Sequence, residues 1–132
     1  MGRVTSLGMA SFWPKSDDAY AAPMNQIPKV VFSKTLREAN WPESSIASGD
    51  LAQEIATLRK QPGGEIIAWG GAGFAQALVR ARLVDEYAII TPPIAYGGGK
   101  PLFFELEDAI QFEPVATTTY PDGTLLRQFT PR

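Results

Sequence analysis

The chain has 132 residues, a net charge of -2 and an apolar content of 45%, which suits one globular domain over residues 1–132. No stretch contains more than two neighbouring Lys or Arg, so we expect no nucleic-acid partner. No apolar run is long enough to span a bilayer, and the first residues lack an apolar signal core. We therefore expect no membrane association and a cytoplasmic location.

The absence of two residue types restricts the chemistry. The chain has no Cys and no His, which excludes disulfides, thiolate nucleophiles, a Ser-His-Asp triad and Cys or His metal sites. We expect no bound metal. Reactions carried by an organic cofactor remain open, because there the protein mainly binds and orients the reactive group.

The first part of the chain alternates helical and strand-like patterns. A helix is predicted over Thr5–Trp13, ending at Pro14, followed by a loop over residues 15–28. The β-branched run Lys29–Ser33 predicts a buried strand, and Ser45–Ser48 predicts another short one.

A second helix is predicted to follow Asp50. Asp50 has the character of an N-cap, and Gln53 stands where a side chain reaches back to the cap in a capping box. Pro62-Gly63-Gly64 ends this helix. The apolar run Glu65–Trp69 then predicts a strand buried on both faces.

The remaining elements complete a mixed α/β pattern. A third helix is predicted from Phe74 to Ala81, and a strand over Tyr87–Thr91. Residues 111–120 and 124–129 are strand-like and flank the turn signal Pro121-Asp122-Gly123. The alternation of strands and helices predicts a mostly parallel sheet, to which this C-terminal hairpin adds antiparallel strands.

A glycine-rich segment connects the predicted strand Glu65–Trp69 to the following helix. Gly70, Gly71, Ala72, Gly73 and Phe74 form this connection. Glycines let the backbone approach a ligand, and the helix start supplies free N–H donors for a phosphate or pyrophosphate. The spacing is neither G-x-G-x-x-G nor a P-loop. A tight turn that binds nothing is an equally supported interpretation.

Two further segments are candidate anion sites. Ser33-Lys34-Thr35 follows a predicted strand, where ligands of α/β sheets collect, and could hold the phosphate that distinguishes NADP from NAD. Gly2-Arg3-Val4-Thr5 precedes a helix and also suits a phosphate. An ordinary polar loop and a frayed terminus are the respective alternatives.

The ordered set of motifs resembles the dihydrofolate-reductase-like reductase family. The branch that it matches best is the C-terminal reductase domain of riboflavin-biosynthesis deaminase-reductases. The segments that carry the resemblance are Gly2-Arg3-Val4-Thr5, Leu7-Gly8-Met9, Ala22-Pro23-Met24-Asn25, 28–33, Gly49-Asp50-Leu51, 70–73, Leu83-Val84-Asp85-Glu86 and 92–103.

The resemblance implies a three-layer α/β/α fold, NADPH as hydride donor and a small-molecule substrate. It places Gly2, Arg3 and Thr5 at cofactor phosphates. It also places residues 33–35 near the adenosine ribose and its 2′-phosphate, and residues 70–73 at the pyrophosphate. The implied activity is that of a pyrimidine or pterin-like reductase, such as 5-amino-6-(5-phosphoribosylamino)uracil reductase. The resemblance also allows a homodimer.

Two alternatives to this function stay open. Members of the family usually begin with a strand, a loop and a helix ahead of the Gly-Arg-x-Thr segment, and we expect this chain to lack them. A non-catalytic NADP-binding or interaction module is therefore an alternative, and a dihydrofolate reductase is a further one. No residue is predicted as the catalytic acid.

Overall fold

The computed structural model describes residues 1–132 and has a mixed α/β architecture, which confirms the predicted fold class. The chain forms two compact units, Met1–Ala77 and Leu78–Arg132. The three-layer arrangement and the single-domain organisation stay predictions. None of the helices combines the length and the apolar character needed to cross a lipid bilayer.

The first unit contains three complete helices and a pair of parallel strands. Its elements are α1 (Arg3–Phe12), a 3-10 turn (Trp13–Lys15), α2 (Ala21–Gln26), β1 (Lys29–Phe32), β2 (Ser44–Ala47) and α3 (Leu51–Arg59).

Helix α2 lies in the segment for which we predict a loop, so that prediction is wrong. Pro23 is tolerated in the first turn, where its missing N–H has no intrahelical partner. The side chain of Lys29, just after the helix, fixes the other end, because its Nζ donates to the carbonyls of Met24, Asn25 and Ile27 at 2.7–3.1 Å. These contacts come from residues outside the helix and cannot be seen in its local pattern.

Strand β1 forms the buried centre of the first unit. Val31 is completely buried, and β1 pairs in parallel with β2 from Lys29↔Ser44 to Phe32↔Ala47. Backbone bonds also join Met1 to β1, since Met1 N donates to Val30 O and Phe32 N donates to Met1 O, both at 2.9 Å. The start of α1 is thereby held beside the carboxyl end of β1.

The N-terminus of α3 confirms one part of the predicted capping box and corrects another. The Asp50 carboxylate accepts a bond from Gln53 N at 3.1 Å, as expected of an N-cap. The side chain that reaches back belongs to Glu54, which accepts from Gly49 N at 3.0 Å. A carboxylate accepts an N–H more strongly than an amide oxygen does, which favours Glu54 over Gln53.

The predicted buried strand over Glu65–Trp69 is wrong. These residues form no strand, and their side chains are exposed, with Ile67 at 69%. An extended segment becomes a strand only when a neighbour supplies ladder hydrogen bonds, and no strand pairs with this one. The parallel part of the structure is consequently smaller than we predict, since β1 and β2 form the one parallel pair of strands.

The second unit is dominated by an antiparallel sheet. Helix α4 (Ala72–Arg80) begins in the first unit and ends in the second. Strands β3 (Tyr87–Thr91), β4 (Phe112–Thr119) and β5 (Leu125–Pro131) follow in the spatial order β3-β5-β4. The predicted turn between β4 and β5 is confirmed, with Asp122 accepting from Thr124 N at 3.0 Å and Gly123 at φ +84°.

Candidate functional site

Two helix N-termini meet at the glycine-rich segment of the first unit. Helix α1 begins at Arg3 and α4 begins at Ala72. Gly2 N donates to Gly70 O at 3.0 Å, which ties the two starts together. The first N–H groups of a helix have no intrahelical acceptor, and both helix dipoles place partial positive charge there. The arrangement is suited to binding an anion.

Glycine allows the backbones to approach closely at this point. A Cβ on Gly71 would lie 2.9 Å from Thr5 Oγ1, and a Cβ on Gly2 would lie 3.1 Å from Phe74 Cβ. Gly70 has φ +70°, a conformation that glycine adopts readily, and the Gly70-Gly71 peptide bond is cis. The sequence-based interpretation of these glycines as close-approach residues is consistent with this geometry.

The carboxyl end of β1 lies at the same place. Gly2 forms a parallel bridge with Phe32, the last residue of β1. The Phe32 and Phe74 rings lie 4.9 Å apart between centroids. Phe32 is not among the predicted site residues, although its position just before the candidate segment Ser33-Lys34-Thr35 was a signal for it.

Residues 33–35 follow β1 directly and form a tight polar turn. Ser33 Oγ accepts from Leu36 N at 3.0 Å and from Thr35 N at 3.3 Å, so this side chain is engaged in shaping the turn. Lys34 and Thr35 are exposed. Of these predicted residues, Lys34 and Thr35 have the accessible side chains for a phosphate, and Ser33 has a structural role in the turn.

The remaining predicted residues lie around the two helix starts. Arg3 is the first residue of α1 and is exposed, while Ala72, Gly73 and Phe74 form the first turn of α4. None of the predicted residues is acidic, and Arg3 and Lys34 are cationic. The donor set therefore fits the phosphates of a dinucleotide.

Two cavities lie away from this turn. One, of about 720 Å³, is lined by residues that include Lys29, Trp41 and Gln61 in the first unit. The other, of about 430 Å³, lies in the second unit around Arg82 and Tyr87. Neither is lined by a predicted cofactor residue, so the candidate site is an open surface at two helix ends.

Lys29 is a buried cation whose role is structural. It is 7% exposed, and its three backbone acceptors use all three ammonium donors. The ammonium also lies 4.4 Å from the centre of the Trp41 ring. Burial lowers the pKa of Lys29, and Glu43 opposes this shift. With its donors fully used, Lys29 has none left for a ligand in the adjoining cavity.

The architecture defines a mixed α/β protein with a glycine turn between two helix starts. The family comparison then gives a more specific assignment: the model of the RibD C-terminal domain matches residues 1–126, and the chain belongs to this family. This confirms the family resemblance drawn from the motifs.

Individual relatives agree with this assignment. The crystal structure named "Putative riboflavin biosynthesis protein" from Shewanella sp. PV-4 matches with a TM-score of 0.82 and 27% identity, covering 100% of this chain and 72% of that one. The pyrimidine reductase-like protein DIP1392 of Corynebacterium diphtheriae shares the fold, with a TM-score of 0.57, 14% identity and coverage of 80% and 50%.

A curated relative is "Uncharacterized protein YyaP" of Bacillus subtilis. It is 32% identical over 97 residues, which is 74% of this chain. The matched region is 51% of the YyaP sequence, so the chain spans about half the length of this relative.

Proposed function

We propose that the chain binds NADPH at the paired starts of α1 and α4 and takes part in reducing a small pyrimidine or pterin-like molecule. The observation that carries the proposal is the junction of Gly2 with Gly70, which brings two sets of free helix N–H groups to one glycine turn. Membership in the RibD C-terminal domain family supports the reductase class.

In this proposal the residues bind and orient the cofactor. Backbone N–H groups at the starts of α1 and α4 hold the pyrophosphate, and the missing Cβ of Gly71 lets Thr5 of α1 lie against the turn before α4. The ammonium of Lys34 and the hydroxyl of Thr35 hold the 2′-phosphate at the end of β1. NADPH, when bound, supplies the hydride.

The choice of substrate class rests on relatives. Two structural neighbours carry the words riboflavin biosynthesis and pyrimidine reductase-like in their names. We therefore propose a substrate resembling 5-amino-6-(5-phosphoribosylamino)uracil. Dihydrofolate is the natural comparison substrate, because its pterin ring presents similar heterocyclic chemistry.

The first test is titration of the chain with NADPH and NADH while Trp fluorescence is recorded. Trp69 is half exposed and precedes Gly70, so bound NADPH should quench it. We expect micromolar binding of NADPH and about tenfold weaker binding of NADH, because a charge-assisted bond to the 2′-phosphate is worth about 1.5–3 kcal/mol.

Substituting Lys34→Met should remove most of the preference for NADPH over NADH, since the ammonium is lost. Lys60→Met, at the end of α3, is the matched control and should keep it. Failure of NADPH to bind at millimolar concentration would count against the whole proposal.

The second test measures NADPH oxidation with the pyrimidine substrate and with dihydrofolate. Oxidation with the pyrimidine supports the riboflavin-type reductase, and turnover of dihydrofolate alone supports a dihydrofolate reductase. Cofactor binding without oxidation by either substrate favours a non-catalytic NADP-binding module.

A further inference from the structure

We propose that the second unit contains a binding site for a small carboxylate with an apolar body, formed by Arg82 and the hydroxyl of Tyr87. The site is the cavity of about 430 Å³ that these residues line with Val84, Ala109, Ile110, Pro131 and Arg132. Small-molecule pockets typically have volumes of about 300–1,000 Å³, apolar walls and a few polar groups. The site is separate from the glycine turn of the first unit and does not depend on the proposed reductase function.

Tyr87 provides a polar group in the lining of the cavity. The residue is 6% exposed, and its ring packs against Phe103 and Phe112 with centroids 5.6 and 5.0 Å away. These ring contacts hold the side chain in place. A largely buried tyrosine needs a hydrogen-bond acceptor for its hydroxyl, and in this proposal a ligand in the cavity supplies it.

Arg82 provides the positive charge, and the fold holds it in place. Its backbone N–H donates to Val79 O at 3.0 Å, and its φ of +55° ends helix α4 in the left-handed conformation. Nη2 donates to Asp108 O at 3.0 Å and lies 3.5 Å from Ala109 O. A guanidinium has five N–H donors, which is more than these two carbonyls can use.

The charges around the cavity favour a single carboxylate. The charge of Arg82 reaches the Tyr87 phenol, since burial raises the pKa of Tyr87 while Arg82 opposes this rise. Arg132 is already paired with Glu113, so Arg82 is the lining cation proposed to hold the carboxylate of the ligand. A guanidinium edge and a phenol hydroxyl match the two oxygens of one carboxylate, and Val84, Ile110 and Pro131 suit an apolar body.

The test uses NMR titration of the full chain with benzoate, and with benzamide and inorganic phosphate as comparisons. We expect saturable shifts of the Val84, Tyr87 and Ile110 amides with benzoate at millimolar concentration. Benzamide lacks the charge and phosphate lacks the apolar ring, so both should bind at least about tenfold more weakly.

Two variants identify the binding groups. Tyr87→Phe keeps the ring and removes the hydroxyl, and should weaken benzoate binding roughly 2- to 10-fold. Arg82→Gln should weaken it more than about 10-fold. Arg127→Gln, an exposed cation on β5 outside the cavity, should leave it unchanged.

Three results would overturn the site. The first is absence of saturable shifts up to about 20 mM benzoate, a concentration that detects even millimolar affinity. The second is binding of benzamide or phosphate at least as tightly as benzoate. The third is unchanged benzoate affinity in Tyr87→Phe, once the amide spectrum shows that this variant is folded.

Discussion

Thr5 Oγ1 lies 2.9 Å from the position that a Cβ on Gly71 would occupy. Contacts this short are not found for real Cβ atoms, so a side chain at Gly71 would require the Thr5 side chain to rotate, or α1 or the turn before α4 to shift. This short distance shows how closely Thr5 at the start of α1 approaches the turn before α4. This approach is the geometric basis of the proposed cofactor site.

Replacing Gly71 with Ala should weaken NADPH binding about tenfold or more, because displacing the helix starts misaligns their N–H donors. Gly64→Ala is the matched control, since a Cβ there meets nothing within 4 Å. Adding Thr5→Ala to Gly71→Ala removes the clashing hydroxyl and should restore part of the affinity. Titration of all four proteins checks this, and equal affinity in Gly71→Ala and Gly64→Ala would contradict it.

Removal of the Lys29 ammonium should destabilise the first unit. Lys29→Met leaves three backbone carbonyls without a donor and loses the contact with Trp41. We expect a loss of about 2–4 kcal/mol in the free energy of unfolding. Lys100→Met, at an exposed position, should change it by less than about 0.5 kcal/mol. Urea unfolding of both variants gives the comparison, and similar midpoints would refute the structural role of Lys29.

Two side chains cap the start of α3, and single substitutions test each of them separately. Asp50→Ala removes the acceptor for Gln53 N and should cost about 1 kcal/mol. Glu54→Ala removes the acceptor for Gly49 N and should also destabilise the protein. Gln53→Ala keeps the backbone N–H that donates to Asp50, so its effect should stay within about 0.5 kcal/mol. Thermal unfolding ranks the three, and a Gln53 effect equal to that of Asp50 would support the original capping box.

The free energy of unfolding should increase as the pH rises from 6 to 8. Burial lowers the pKa of the Met1 amino group from 8.0 to about 6. In this window the unfolded chain binds more protons than the folded chain, so higher pH favours folding. Below pH 6 the Met1 amino group is protonated in both the folded and the unfolded chain. The free-energy cost of burying its charge then no longer changes with pH.

The chain suits this measurement because it has neither His nor Cys, and no side chain has an ordinary pKa between 6 and 8. The urea midpoint should be higher at pH 8 than at pH 6. The Nα-acetylated chain has no titrating amine and should lose this difference. Equal midpoints for the unmodified chain at the two pH values would contradict the predicted burial.

Local signals account for much of the fold. Asp50 marked the start of α3, the Pro121-Asp122-Gly123 signal marked the turn between β4 and β5, and β-branched residues marked β1. Each depends on chemistry within a few residues, which the sequence displays directly. The glycine turn before α4 was also visible in the sequence, while anion binding by residues 70–74 stays a prediction.

Two predictions failed because hydrophobic periodicity displays neither side-chain contacts nor strand pairing. Helix α2 depends on the ammonium of Lys29 and on Trp41 Nε1, which donates to Asn25 Oδ1 at 2.7 Å. Residues 65–69 have the composition of a strand but no pairing strand. None of these partners can be read from local periodicity. Ser33 stays a predicted phosphate ligand, because its hydroxyl accepts from two backbone N–H groups and still has its O–H to donate.

The most direct test of the central claim is an NMR titration of the chain with NADPH, followed at the backbone amides of the two helix starts. We predict that the amides of Val4 and Thr5 in α1 and of Ala72 and Gly73 in α4 shift together, with one common saturation curve. Binding of NADPH that leaves these amides unshifted, while other parts of the chain respond, would contradict the account.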